Sequence, residues 1–544
     1  MLFSTLLCTQ PEVTPQSQPL SYRPLSYRPL SYRLRADFWN AIFHIAFQGR
    51  SNRFNPLDGN PNQHDGGMVE WKHFCAQTPF SGAFTTKKLP KAERSIISSF
   101  EISFINHLMK WIPMSYPNLP SIPADPEALM KFFPNSLPIW AKPVLPNEIK
   151  DSARHHDVLG ALMLFGPFST YIQRTGFYNF ELDLSRFESI PTKPGLKKLG
   201  GKAYFCYNPY SQEMETNLIQ TQDEVCTNHF VSRDWDLMQK RILGALHTDL
   251  IAIKHLTNTH LCLAGTVASV TYHFLTEDHP IKRMLHPHIN DTLFINNKHT
   301  KLLTSHKSSF LPLVFSYELP EIIQLINNGI KNFDIRTMDF EEDLKMRGFN
   351  INHLGIAYPY ADNAGSLWRI IKIYATDYVN AIYPDDTKLA QDVQLNQWFE
   401  ALNRYIPNGI KRNYTPVLNK EALSKLLNTI IFSVSVEHNN VGGKSFQYSI
   451  WQQYIPLQVY EDGSLMKIDA FNALINLALS VSEPSARIIE DFSPLAPQNN
   501  PNAIKAMQDF HQNLLNYQKL LVDHSHLENP GVLLPSQIES AVRA

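Results

Sequence analysis

Along most of the chain beyond residue 230, apolar residues recur at three- and four-residue intervals, the spacing that gives an α-helix one buried face. The pattern predicts helices over 238–263, 367–383, 392–402, 421–438 and 503–521. A shorter apolar stretch, 159–165, ends at Gly166-Pro167 and lies within a helical interval from 157 to 172. Between 178 and 207 short apolar stretches alternate with Gly and Pro, which suggests a small sheet or excursion. Nearer the amino terminus, 37–49 places Phe38, Ile42, Phe43, Ile45 and Phe47 near one face, and 95–111 reads as another helix. The interval 52–67 is rich in Asn, Gly and Pro and reads as a loop, and Pro-rich turns fill 113–146. Residues 1–36 carry Pro-Leu-Ser-Tyr-Arg three times, starting at Pro19, Pro24 and Pro29. A proline every five residues removes backbone donors and opposes a continuous helix, so this stretch reads as a mobile or extended arm. The expected fold class is mainly α, a large helical unit over 37–544 with minor β excursions.

Composition narrows the function. The chain has 544 residues, with 49 Lys and Arg against 50 Asp and Glu, a formal charge of −1. Nucleic-acid binding normally needs a basic surface to neutralise phosphates, so nucleic acid is not an expected partner. No run of about 18 apolar residues occurs, hence no membrane-spanning helix is expected. The apolar opening Met1–Cys8 lacks a positive flank and is short for a secretory signal. A soluble protein follows, either cytoplasmic or exported without a recognisable signal. Five scattered cysteines (8, 75, 206, 226 and 262) form neither a disulfide framework nor a CxxC zinc pattern. Cys262, two residues after His260, reads as a small buried core residue.

Chemistry enters with three histidines. His255 and His260 stand five apart, and His438 closes a long apolar run. Three neutral imidazoles make a good site for a divalent transition metal. On a regular helix residues i and i+5 are swung apart by about 140°. Both rings converge only if the helix is locally widened, as in a π-bulge. The HExxH pattern of zinc hydrolases is absent.

The surrounding residues supply a larger pattern. Trp235-Asp-Leu-Met-Gln-Lys240 precedes the pair; His279-Pro-Ile-Lys-Arg-Met-Leu-His-Pro-His288 and Asn290-Asp-Thr-Leu-Phe-Ile-Asn296 follow it. Further on come Tyr358-Pro-Tyr-Ala-Asp362, Trp368, Asp392-Val-Gln-Leu-Asn-Gln-Trp398, Thr429-Ile-Ile-Phe-Ser-Val-Ser-Val-Glu-His438 and Leu533-Leu-Pro-Ser-Gln-Ile-Glu539. In this order the blocks resemble the lipoxygenase family over residues 151–544, most clearly from Trp235 onward. The resemblance implies a helical catalytic domain in a compact form, since the first hundred and fifty residues show no regularly alternating strands for an amino-terminal β-barrel domain. It implies one non-haem iron held by His255, His260, His438 and the terminal carboxylate of Ala544; manganese is a second candidate, because sequence alone does not fix metal identity. It further implies dioxygen addition to a polyunsaturated fatty acid or phospholipid after hydrogen abstraction from a bis-allylic carbon, with transient contact at a membrane surface. Leu303 matches a leucine beside the reacting pentadiene, and His299 stands where the family has a small residue that influences oxygen entry.

Two departures qualify this. Gly442 occupies the place of the family's fourth side-chain ligand, so that position falls to water, or to Asn439 or Asn440 on a rearranged helix. Ala264 replaces a glutamate of the family's supporting hydrogen-bond network. These departures motivate an alternative expectation, a catalytically impaired lipid-binding or interaction protein on the same fold.

Overall fold

The computed structural model describes residues 157–228, 233–304, 309–350, 353–467, 486–523 and 532–542, with the short pieces 71–73, 84–86, 145–146, 149 and 470. The arm over 1–36 and the expected helices at 37–49 and 95–111 lie outside the described residues, as does the 52–67 loop. Of the Pro-rich turns at 113–146, only the last two residues are described.

Two short strands, β1 (Trp71–His73) and β2 (Phe84–Thr86), pair antiparallel with Trp71 opposite Thr86. After the short helix α1 (Val158–Leu162) the chain forms an antiparallel meander of five strands in sequence order. These are β3 (Gln173–Arg174), β4 (Asn179–Asp183), β5 (Lys202–Asn208), β6 (Glu213–Gln220) and β7 (Val225–Thr227). Phe180 and Leu182 on β4 alternate inward with exposed neighbours, as a sheet with one wet face requires. Asp157 fastens α1 to the sheet: its carboxylate accepts from Thr216 N at 2.7 Å and from Gly160 N at 2.9 Å.

The remainder is helical. α2 (Arg233–Asp249) continues without a break through a π-helical segment, Leu250–Ala264, into α3 (Gly265–Phe274). α4 (Pro280–Ile289), α5 (Thr292–Thr304), α6 (Leu319–Lys331) and α7 (Phe340–Met346) follow. Then come α8 (Pro359–Ile382), α9 (Val393–Tyr405) and α10 (Lys420–Phe432). α10 passes through two further π-helical segments, Ser433–Glu437 and Asn439–Lys444, into α11 (Ser445–Ser449); α12 (Pro501–Asp523) comes last. The helix starts are legible: Asn419, Asp392 and Asp339 each accept a backbone N–H of the first turn, which satisfies donors the helix leaves open. Pro280 and Pro359 stand at the opening of α4 and α8, where a missing N–H costs nothing.

α8 packs between α10 and α12. Trp368 meets Phe432 edge-on at 5.1 Å, and Tyr374 stacks on Phe510 at 4.3 Å. Trp398, fully buried on α9, donates to Thr271 Oγ1 of α3 at 2.9 Å. The fold is mainly α, as its helical periodicity predicts. No described helix is long and apolar enough to cross a membrane.

Cys206 on β5 is disulfide-bonded, whereas Cys226 and Cys262 are free. The expectation that the scattered cysteines form no disulfide framework is thus qualified at Cys206. Spacing alone could not reveal a pairing set by the folding of the sheet. Cys262 is fully buried, and burial pushes its thiol up.

Candidate metal centre

The segment Leu250–Ala264 is π-helical over 15 residues, so its turns close between residues five apart. Two side chains follow the same period: Thr257 Oγ1 donates to Ala252 O at 2.6 Å, and Thr259 Oγ1 to Lys254 O at 2.8 Å. A five-residue turn places His255 and His260 on one face. Their rings meet at 4.6 Å between centroids, with Nε2 atoms 3.0 Å apart. His438 arrives from the second widened helix, its Nε2 3.2 Å from that of His260. All three rings are buried, and their candidate ligand atoms lie within 4.8 Å of one another. Among the described residues no other group of three or more His, Cys, Asp or Glu side chains converges in this way.

The spacing tests the fit to a metal. Nitrogens at about 2.1 Å from a common ion and at right angles to each other stand about 3.0 Å apart, and in a tetrahedron about 3.4 Å apart. The two short separations, 3.0 and 3.2 Å, fit imidazoles occupying adjacent corners of an ion with further positions open, the arrangement of facial-triad sites. His260 is also held in the tautomer that ligation needs. Its Nδ1 lies 2.9 Å from Asn296 Oδ1, an acceptor, so the ring proton sits on Nδ1 and the Nε2 lone pair faces the cluster. Asn296 Nδ2 in turn donates to His260 O at 2.7 Å. Gly265 leaves room for that contact, since a β-carbon there would fall 2.8 Å from Asn296 Nδ2.

Two half-buried charges of opposite sign stand beside the ligands, one on each widened helix. Lys254 precedes His255 and Glu437 precedes His438; the two charges attract. Lys254 Nζ donates to Thr170 O and Thr170 Oγ1 at 2.9 and 2.8 Å and lies 4.1 Å from the Tyr171 ring centre. Glu437 accepts from Tyr360 Oη at 2.9 Å. Burial raises the Glu437 carboxyl pKa and lowers that of the Lys254 ammonium. Lys254, Glu437 and the role of Asn296 escape sequence reasoning. A charged residue immediately before His255 and another immediately before His438 were the signal available.

The carboxy-terminal segment returns to this region. Ile488 N donates to Ile538 O and Ser540 N to Ala486 O, both at 2.9 Å, and Arg487 pairs with Glu539 in an isolated bridge. His288 Nδ1 donates to Ser540 O at 2.8 Å. Val542 then packs with Ala264 and Val434, residues four positions from His260 and from His438. Ala264 thus belongs to an apolar contact where the family resemblance expects a polar one. Ala544 lies outside the described residues.

Other expected residues are placed as follows. His299 and Leu303 lie on α5, the helix that packs on the Leu250–Ala264 segment and carries Asn296; Leu303 is half-buried. Asn439 turns along its own helix, donating to Ser435 O at 2.8 Å. Asn440 is buried, and neither atom of its carboxamide has a hydrogen-bond partner.

A mainly α fold with three imidazoles converging from two widened helices defines a helical class of protein with a candidate metal site. The lipoxygenase family profile matches residues 209–460. Among curated relatives, a linoleate 9/13-lipoxygenase of Pseudomonas aeruginosa is 28% identical over 184 residues, 34% of this chain and 26% of that protein. A seed linoleate 9S-lipoxygenase-3 of Pisum sativum is 27% identical over 321 residues, covering 51% and 36%. A manganese lipoxygenase of Pleurotus sapidus is 25% identical over 232 residues, covering 42% and 33%. The matched stretches thus span about a third or less of the relatives' lengths. Among solved structures, coral 8R-lipoxygenase aligns with TM-score 0.72 at 15% identity, over 96% of this chain and 82% of that one. A calcium-dependent 11R-lipoxygenase aligns with TM-score 0.71 at 17% identity, over 88% and 79%. Over residues 209–460 the chain is similar to the lipoxygenase family, and its fold is that of the lipoxygenase catalytic domain.

Proposed function

We propose that this protein is a non-haem iron dioxygenase that inserts O2 into polyunsaturated fatty acids to form lipid hydroperoxides. The observation that carries the reading is the convergence of His255, His260 and His438 through their Nε2 atoms. Neutral imidazoles at this spacing would hold one divalent ion per chain, with the Ala544 carboxylate completing the protein ligands. Bound there, iron supplies the one-electron redox chemistry needed for hydrogen abstraction from a bis-allylic carbon and for O2 addition.

The chain's residues do the rest. Asn296 fixes the His260 tautomer, while Lys254 bonds to Thr170 and Glu437 accepts from Tyr360 beside the two ligand-bearing helices. Val542, Ala264 and Val434 keep water from that side of the site. Leu303 and His299 shape the substrate cavity, and residues 37–544 act as one catalytic unit. The likeness to linoleate lipoxygenases supports a fatty-acid or phospholipid substrate, taken up in transient contact with a membrane surface. Manganese is the second metal, in keeping with the manganese lipoxygenase among the relatives.

The test is oxygen uptake and conjugated-diene formation by iron-loaded protein given linoleate, arachidonate or a phospholipid carrying them. Hydroperoxide products are expected, identified by mass spectrometry and abolished by His438→Ala. Protein that binds iron yet forms no product from any of these lipids would favour the alternative, a lipid-binding or interaction protein, for which the apolar Ala264 contact speaks.

A further inference from the structure

The five-stranded meander leaves aromatic side chains bare at one of its ends. In an antiparallel meander alternate turns share an edge, so the β3–β4 turn (175–178) and the β5–β6 turn (209–212) stand side by side. Two strand spacings of about 4.8 Å put the turn centres about 10 Å apart. Phe177 at the first tip is 72% exposed, and Tyr210 at the second is 96% exposed. Hydrogen bonds fix both turns. Thr175 N and Gly176 N donate to Asn179 O at 2.9 and 3.1 Å, and Tyr210 N donates to Asn208 Oδ1 at 3.0 Å. Gln212 takes a left-handed φ of 58° to close the second turn.

The same end of the sheet packs on the segment that leads into α8. Arg174 N donates to Arg347 O at 2.9 Å, the Arg174 guanidinium donates to Leu354 O, and Ala357 N donates to Tyr207 Oη at 2.9 Å. These bonds bring Met346, 45% exposed, and the half-buried Leu354 and Ile356 beside the two tips. The segments 175–178, 209–212 and 354–357 contain no acidic or basic residue, in a chain that is 18% charged. The exposed ionisable residues that border them, Lys345, His353 and Glu213, are of both signs. Three residues past Ala357, Tyr360 Oη bonds Glu437, the residue before His438.

We propose that the rim formed by Phe177, Tyr210, Met346, Leu354 and Ile356 docks the protein on a lipid bilayer with zwitterionic headgroups, the two hairpin tips entering the boundary between headgroups and acyl chains. Aromatic side chains suit that boundary, where the ring is buried and the tyrosine hydroxyl stays wet. Tips without charge avoid the cost of carrying ions into it. A chain of formal charge −1 has no net attraction to anionic lipid, so apolar insertion supplies the affinity. Separate tips enter a fluid layer without a shape-matched partner, whereas a stable dimer needs a continuous complementary patch. The inference rests on the lipid-oxygenating reading above and deepens it by naming the surface at which a bilayer-held substrate meets the molecule.

Co-sedimentation of the full-length chain with phosphatidylcholine vesicles tests it, comparing wild type with Phe177→Ser, Tyr210→Ser, the double variant and Val393→Ser. Val393 serves as the control. It is 67% exposed and follows Asp392, which bonds Tyr383 at the far end of α8, about 36 Å along that helix from Pro359. Each single tip variant should bind vesicles at least about threefold more weakly and the double variant at least about tenfold, from the ring area no longer buried. Val393→Ser should match wild type, and urea midpoints should hold in all four because the replaced side chains are exposed. Vesicles should slow hydrogen exchange across 175–178 and 209–212 in wild type, and binding should survive about 0.5 M salt. Wild type that does not bind phosphatidylcholine vesicles overturns the inference, and so does a double variant that binds them as wild type does. Binding confined to anionic vesicles and lost in salt also overturns it. The same holds for tip protection that rises with protein concentration in the absence of lipid, the mark of a second copy as the occupant. None of these readouts involves turnover, so the two readings fail separately. Vesicle binding without lipid oxidation refutes the proposed function alone, and oxygenation of dispersed linoleate without vesicle binding refutes the docking rim alone.

Discussion

Asn296 shows how one side chain serves both the helix and the site. Its oxygen accepts from His260 Nδ1 while its amide donates to His260 O, so the imidazole and the widened backbone are fixed together. In Asn296→Ala the ring loses the partner that selects its tautomer, and metal affinity should fall by about 10–100-fold. Metal content after dialysis against a competing chelator would measure this; Asn296→Asp, which retains an acceptor, should lose less. His288 plays the corresponding part for the carboxy-terminal segment through its bond to Ser540 O. In His288→Phe that carbonyl is left buried without its donor, at a cost of about 1–3 kcal/mol. The expected signature is a lower urea midpoint and faster hydrogen exchange across 538–542.

At the level of elements, the sequence pattern located the long helices but not their continuity. The expected 238–263 helix is the middle of one rod from Arg233 to Phe274. The expected 421–438 helix runs on to Ser449. Periodicity weakens there because π-helical turns do not repeat at 3.6 residues. The His255–His260 spacing, awkward for an α-helix, was the legible trace of that widening. His279 and Asp392, by contrast, appeared only as letters in motifs. They meet in space, with His279 Nε2 3.2 Å and Tyr383 Oη 2.6 Å from Asp392 Oδ2, a pairing no local pattern encodes. Burial alone would raise the Asp392 carboxyl pKa; the bonds from His279, Tyr383 and Leu395 N outweigh it and hold it at about 2. A carboxyl depressed in the folded state contributes stability above its unfolded pKa of about 3.9, and that contribution disappears as pH falls toward 2. Urea midpoints measured from pH 5 to 2 should therefore fall less in Asp392→Asn than in wild type. For the sheet, peptide mapping without reductant should find Cys206 cross-linked and Cys226 and Cys262 as free thiols.

For the molecule as a whole, the same burial that builds the core sets its response to acid. Burial pushes His247 down to about 3, and His286 and His288 to about 4. Each is neutral in the folded chain at pH 5 yet protonated in an unfolded chain below about 6.5. The stability this gives is complete above that value and is lost as pH falls toward the folded pKa. Near pH 5 unfolding should take up close to one proton per group, each worth about 1.4 kcal/mol per pH unit. A steep fall in urea midpoint between pH 6.5 and 4.5 is expected, shallower in His288→Phe once its own cost is subtracted. The widened helices carry a last consequence. Because a five-residue turn holds one residue more than an α-turn, the site is sensitive to chain length as well as to residue identity. Deleting one residue between His255 and His260 would leave them four apart, the spacing of paired ligands on an ordinary α-helix. That shortened helix would keep two histidines on one face while turning the first ring relative to His438. Insertions and deletions, which usually accumulate in loops, are here the changes that could remodel a buried metal centre.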